Sequence, residues 1–574
     1  MNAARRARAG GLLRAKWPLI AVCVSVAVVE AALLEGLGAT WVARLAPQVV
    51  APAPFGAFHD LRWLVVYHDS WLTFALGLAA LLVFRSLLDA VLVRLAWPED
   101  LEAPSLLAAW RQTAAFTAVT VVLLAPWVTL LFGLAVVSLS WLFFAAVPPV
   151  LAVAVLTNPG AVTGDWWRRT VPLRAVGWAA LTFLVMTVAS GVVSIDPPAL
   201  AVPVAALGAL FNAWAWRGVV SAVAGRRAGR FAPVAPAGLF GLLVVAVVGA
   251  FIGFTVGGAQ ANAARLRSEK REAPPPSNGA PVIIASGFGT RWDGRSGPWL
   301  DGPFDEQRFS YRGLDGAGRP LAYDSADTTQ SLDSLDAKMA AQVDVLWNRT
   351  HRPVSLVAVS EGSLVAETYL ARYPHAPVSK LVVVSPLVRP GRVYYPPGGG
   401  EGFGMVGGLG LQALSDALDA LSPFRVSPGT PLFQSIVTEA PAVRSLFACP
   451  PPGVSQVAIL PLADAVASPG DGAVGTADVV VPAFHSGALG DPNVDVAVAD
   501  VLQHRGLPGG NGWSFFERWL RPASAAWQVP ELAATVNPAW VLPLSGVDGD
   551  GSLSCAAVRT MLAPAHTTPT TTVR

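Results

Sequence analysis

Seven blocks of mostly apolar residues crowd the first 258 positions of this 574-residue chain, at roughly 18–38, 71–95, 113–135, 138–157, 175–195, 199–222 and 237–258. A helix needs about 20 such residues to cross a hydrocarbon core. Backbone polar groups in that medium must be satisfied within the segment, so each block can fold only as a helix. The third and fourth blocks are nearly continuous, and Pro148-Pro149 interrupts the fourth. Seven spans is the reading carried forward. Six, with that pair as one kinked helix or a re-entrant hairpin, is the alternative.

The pattern changes beyond residue 258. Residues 259–280 have the composition of a linker, ending in Pro274-Pro275-Pro276-Ser277-Asn278-Gly279. Short strand-like and helix-like runs then alternate over 281–561, as in a mostly parallel α/β sheet. The tail 562–574 is Thr/Pro-rich and reads as disordered. Only 14% of the chain is charged, against about 25% in soluble proteins. A net charge of +2 gives no electrostatic case for nucleic acid as a partner.

Lys and Arg concentrate in cytoplasmic loops. Arg5, Arg6, Arg8, Arg14 and Lys16 precede the first block, which puts the N-terminus inside. With seven spans, the clusters at Arg94 and Arg111, at Arg168, Arg169 and Arg174, and at Arg226, Arg227 and Arg230 also fall inside. The loops around Pro52 and Asp196 fall outside, as does the C-terminal half. Arg265, Arg267, Lys270 and Arg271, just past the last block, run against that orientation. Glu30, Glu35, Arg85, Asp89 and Arg217 lie in or near the apolar blocks, where a charge suggests function by default. Arg85 and Asp89 are four apart and able to pair on one helix face.

In the C-terminal half, the strand-like run Val354–Val359 leads into Ser360-Glu361-Gly362-Ser363, and a helical segment follows at once. Small residues flank the Ser, as a sharp strand–turn–helix elbow demands. Further strands are expected at Pro281–Ser286, Arg308–Tyr311, Leu381–Ser385, Val457–Leu462 and Val479–Pro482, with a helix over Ser334–Trp347. The run Val354–Pro386 resembles the elbow, helix and next strand of the α/β-hydrolase family. Ala358 and Ser363 stand where Gly is commoner. The likeness covers roughly 281–505 and does not extend to the membrane half.

That resemblance implies a serine hydrolase with Ser360 as nucleophile. Its base follows late in the chain, and His485, just after the strand Val479–Pro482, is the expected one; His504 and His566 are alternatives. The acid is expected at Asp464, after Val457–Leu462, with Asp471 and Asp478 as fallbacks. The oxyanion hole falls to the backbone N–H groups of Phe288, in Ser286-Gly287-Phe288-Gly289, and of Glu361. The Gly- and Pro-rich stretch around 387–455 is expected as a cap over an apolar acyl pocket, or else as a mobile linker.

An outside location permits a disulfide between Cys449 and Cys555; Cys23 lies within the first block. No metal cluster or phosphate loop is evident, and no cofactor is expected. The expected partners are the bilayer and an acyl ester, thioester or lipid substrate. The rival reading is a membrane transporter or sensor whose outer domain binds ligand without catalysis.

Overall fold

The computed structural model describes residues 2–133, 150–168, 171–224, 278–387 apart from 296–298 and 301, 401–419, 429–463, 477–484, 488–503, 526–530 and 553–563, with isolated positions between 513 and 523. The block at 237–258 and most of the linker lie outside this set.

Among the described residues, five helices are long and apolar enough to cross a membrane. They are Trp17–Gly36 within α1 (Asn2–Gly36), the composite Trp71–Leu95, Leu106–Thr129 within α5 (Leu106–Gly133), α6 (Leu173–Val193) and α7 (Pro197–Val223). The composite joins α3 (Trp71–Ala80) to α4 (Ser86–Leu95) through a π-helical turn, Leu81–Arg85. Of the fourth block only a shorter helix, Val150–Ala161, is described. The bundle is inverted relative to a soluble one. Phe84, Val122 and Leu207 are 70, 71 and 64% exposed, while Ala27, Ala31, Ala201, Ala205 and Ala209 are fully buried. A small-residue interior lets helix backbones approach closely where lipid surrounds them.

The segment around Pro52 is not a surface loop. A 3₁₀ helix, Thr40–Gln48, runs down between α1, α6 and α7. Asn212 Nδ2 donates to the Pro47 carbonyl and Trp216 Nε1 to that of Val50, each at 3.0 Å, which sets the tip of the hairpin far along α7. The return limb is α2 (Phe55–Val66), buried along nearly its whole length. Irregular backbone at this depth is tolerated because protein, not lipid, surrounds it.

The C-terminal half is a six-stranded parallel sheet of order β2-β1-β3-β4-β5-β6. The strands are β1 (Ala280–Ala285), β2 (Phe304–Arg308), β3 (Val354–Val359), β4 (Val378–Val384), β5 (Ser455–Ala463) and β6 (Ala477–Phe484). Ile283, Leu356, Ala358 and Val383 face one core, built with α8 (Leu332–Thr350) and α9 (Glu361–Arg372). Val282, Ile284, Val357 and Val384 face the other, under α12 (Pro492–Leu502). Both faces are covered, so the central strands are apolar without alternation.

The two halves touch along α2, α5 and α6, and Trp527 reaches midway along α6. Trp527 stacks on Phe183 at 4.4 Å and donates to Thr187 at 2.9 Å. Arg62 of α2 donates to the carbonyls of Ala526 and Gln528 at 3.0 and 2.9 Å. From the stretch expected as a cap, α10 (Met405–Asp419) packs on α5, and Val406 N donates to His68 Nε2 at 2.9 Å.

Candidate active site

Ser360 closes β3 and opens α9 with φ 54° and ψ −121°. That backbone costs a non-glycine residue about 1–3 kcal/mol, and such strain persists only where the surroundings enforce it. Here they do. Ser360 N donates to the Val384 carbonyl at 3.0 Å, and Ser363 N donates back to the Ser360 carbonyl at 2.9 Å. Two glycines make the room. A Cβ on Gly362 would lie 2.7 Å from the Ser286 carbonyl oxygen, and one on Gly287 would lie 2.9 Å from Ser360 Cβ. Ala358 is fully buried and its methyl fits. Ser363, read from sequence only as a departure from Gly, accepts a bond from Leu387 N at 3.3 Å and so ties the elbow to the loop after β4.

Gly287 belongs to the loop after β1, and Ser360 follows β3. Strand order reverses between these two strands, since β2 lies on the far side of β1. Ligands of open parallel sheets sit at such a crevice, outside the carboxyl ends of the strands. The loop is clamped at Ser286: Arg308 donates to its Oγ at 2.6 Å, and the Tyr311 hydroxyl donates to its carbonyl. Gly289 N is held by Thr328 Oγ1 at 3.0 Å. Phe288 lies between these anchors, and its ring meets Phe433 of α11 (Pro431–Thr438) at 5.7 Å. Neither clamp residue was singled out in the sequence, because each acts through a partner more than twenty positions away.

Asp464 and His485 lie outside the described residues, as do Asp471, His504 and His566. Asp478 falls within β6. The strands leading to the first two end side by side: Ala463 and Phe484 are register partners, and Asp464 and His485 are the next residues of each. Because every strand is parallel, these ends share an edge of the sheet with Ser360.

Two carboxyls are buried on α9. Neither oxygen of Glu361 meets a hydrogen-bond partner among the described residues, and burial pushes its pKa well above the usual carboxylate range. Burial raises Glu367 to about 8, opposed by the bond it accepts from Gln456 Nε2 at 3.2 Å. Farther off, Cys449 and Cys555 are joined as a disulfide with Cα atoms 5.2 Å apart, fastening α13 (Cys555–Leu562) beneath α9. Among the described residues no cluster of His, Cys, Asp and Glu is arranged to hold a metal ion. Compared with protein-family models and with curated proteins, the chain matches none.

Proposed function

We propose that the C-terminal half is an α/β-hydrolase-like serine hydrolase, tethered to a multi-pass membrane domain and acting on an acyl ester or thioester. The observation that carries this reading is the strained Ser360 turn, seated at the crossover point of a parallel sheet with Gly287 pressed against it. Strain of this kind in a non-glycine residue is retained where function needs it.

The sheet order and the strand ends supply the rest. Ser360 Oγ attacks the acyl carbonyl carbon while His485, held by Asp464, takes the hydroxyl proton. The oxyanion is received by the N–H groups of Glu361 and Phe288, at the positive end of α9. His485 then returns the proton to the departing alcohol or thiol. Water, or a second acyl acceptor, releases the acyl group from Ser360. The Phe288–Phe433 contact supports a cover of apolar side chains over the acyl chain.

The docking surface supports an extracytoplasmic site. α10 meets the bundle near the C-terminal end of α5, at Thr129, the end away from Arg111. By the positive-inside rule that end is outside. A site held at that membrane face suits lipid or cell-envelope acyl groups.

A fluorophosphonate probe on the full-length protein in detergent tests the reading. Labelling is expected in the wild type, none in Ser360→Ala, and a fall of about 10³-fold in labelling rate in His485→Ala. Folded wild type that never labels would favour the rival, a transporter or sensor with a ligand-binding outer domain.

A further inference from the structure

The geometry points to a proton-binding site in the helical half, shared by Glu30 and His59 and independent of the reaction at Ser360. His59 lies on the return limb of the hairpin and is 2% exposed. Its Nδ1 is 2.9 Å from Asp60 Oδ1, and its Nε2 is 2.9 Å from Glu30 Oε1.

Asp60 is committed as a carboxylate. Arg85 donates to it in a fork, Nε to Oδ2 at 2.6 Å and Nη2 to Oδ1 at 2.5 Å. Nδ1 therefore carries a hydrogen and donates. A neutral imidazole has only one N–H, so Nε2 would then face Glu30 with a lone pair. A bare nitrogen and a carboxylate oxygen at 2.9 Å repel, and the contact needs one more proton between them. The site holds that proton on the ring, as an imidazolium set between two carboxyl groups. When it leaves, Nε2 has a second partner ready: Trp63 Nε1 lies 3.3 Å away and donates to it.

The surroundings fit a site that exchanges its proton. The Glu30 side chain is 21% exposed and His59 is interior, while Glu30 Oε1, the oxygen facing the ring, is itself enclosed. The 3₁₀ helix brings Arg44 and Gln48, and α2 adds Arg62, whose bonds go to Gln48 and to the 526–528 carbonyls. The π-turn and α4 bring Arg85 and Asp89, which are 3.9 Å apart. The sequences of α3 and of α5 beyond Thr113 carry no charge; α10 brings Asp416, which is exposed. Glu35 stands on the same helix as Glu30. Gly56 leaves the space Arg85 fills, since a Cβ there would be 2.7 Å from its Nη1. π-turns of this kind recur at functional sites.

The test is nitrogen NMR of the full chain, labelled with ¹⁵N-histidine and reconstituted in bilayers, titrated from about pH 5 to pH 9. One histidine, identified by its absence in His59→Gln, is expected to gain and lose its Nε2 proton in a single step. Glu30→Gln should lower that midpoint by about one unit or more, because it removes the acceptor that favours the charged ring. Trp63→Phe should raise it, because it removes the donor that favours the neutral ring. The opposite signs separate proton binding from general loosening, and the Trp63 arm stands if Glu30→Gln does not fold. A His59 signal that never titrates, or that titrates identically in both variants, would overturn the proposal.

Discussion

Arg85 and Glu361 are 3% and 1% exposed, and these two buried groups, one in each half of the molecule, are accommodated differently. In the helical half, a cation meets a forked carboxylate, and that carboxylate meets an imidazole. Charge survives there because every member has an opposite or a donor within reach. The sheet half has one such pairing, Arg372 with the buried Asp336 at 2.7 Å, but Glu361 has no partner among the described residues and Glu367 has one amide, so burial favours their neutral forms. A buried ion pair is vulnerable to losing one member; a buried neutral acid is vulnerable to pH.

The largest expected effect follows from the first kind. Asp60→Asn leaves the Arg85 guanidinium in the bundle without its main counter-charge, at a cost of about 3–5 kcal/mol. Its thermal midpoint in detergent should fall sharply, and Asp60→Asn combined with Arg85→Gln should recover part of the loss. A single variant as stable as wild type would mean that the pair is solvated, and the contrast between the halves would collapse.

The second effect is confined to the sheet half. The disulfide closes a loop across 106 positions, and opening it frees chain entropy in the unfolded state, a loss of about 2–4 kcal/mol for a typical bridge. Cys449→Ser should therefore raise hydrogen exchange in α9 and α13 and leave α6 and α7 unchanged. Equal loosening of both halves would show that the docked segments 401–419 and 526–530 make them one cooperative unit.

The same division separates what was readable in the sequence from what was not. The strands around Ser360 stand out because β-branched runs buried on both faces have few other fates, and the small residues at Gly287 and Gly362 mark where two backbones approach. The edge strand was misplaced: Arg308–Tyr311 was expected, and β2 is Phe304–Arg308. Its polar residues are spent sideways, as Glu306 accepts the Trp299 and Leu300 amides at 2.8 and 3.0 Å, so no alternation betrays it. The hairpin over 40–66 was missed altogether. Its 12-residue helix is too short to register as a span, and its partners on α7 lie about 165 positions away. Arg85 was expected to pair with Asp89, one turn along. Its closer partner is Asp60, because the hairpin returns a carboxylate that helical spacing cannot reveal.

The smallest effect is the most discriminating, because it appears at one end of the pH scale only. Glu367 has a pKa of about 8 in the folded protein against 4.5 for a free carboxyl. Between those values the unfolded chain has released a proton that the folded chain still holds. The contribution of Glu367 to stability is therefore complete below about pH 4.5, declines as pH rises, and is gone above about pH 8. Glu367→Gln keeps an oxygen for Gln456 Nε2 and has no proton to lose. It should match wild type at acid pH and exceed it increasingly as pH rises from about 4.5 to about 8, read as slower hydrogen exchange across α9. The same comparison on α2, where charges are already paired, should show no such divergence from this substitution. Parallel pH curves for the two proteins in α9 would mean that Glu367 is ionised throughout, and that a buried carboxylate without a cation is tolerated there.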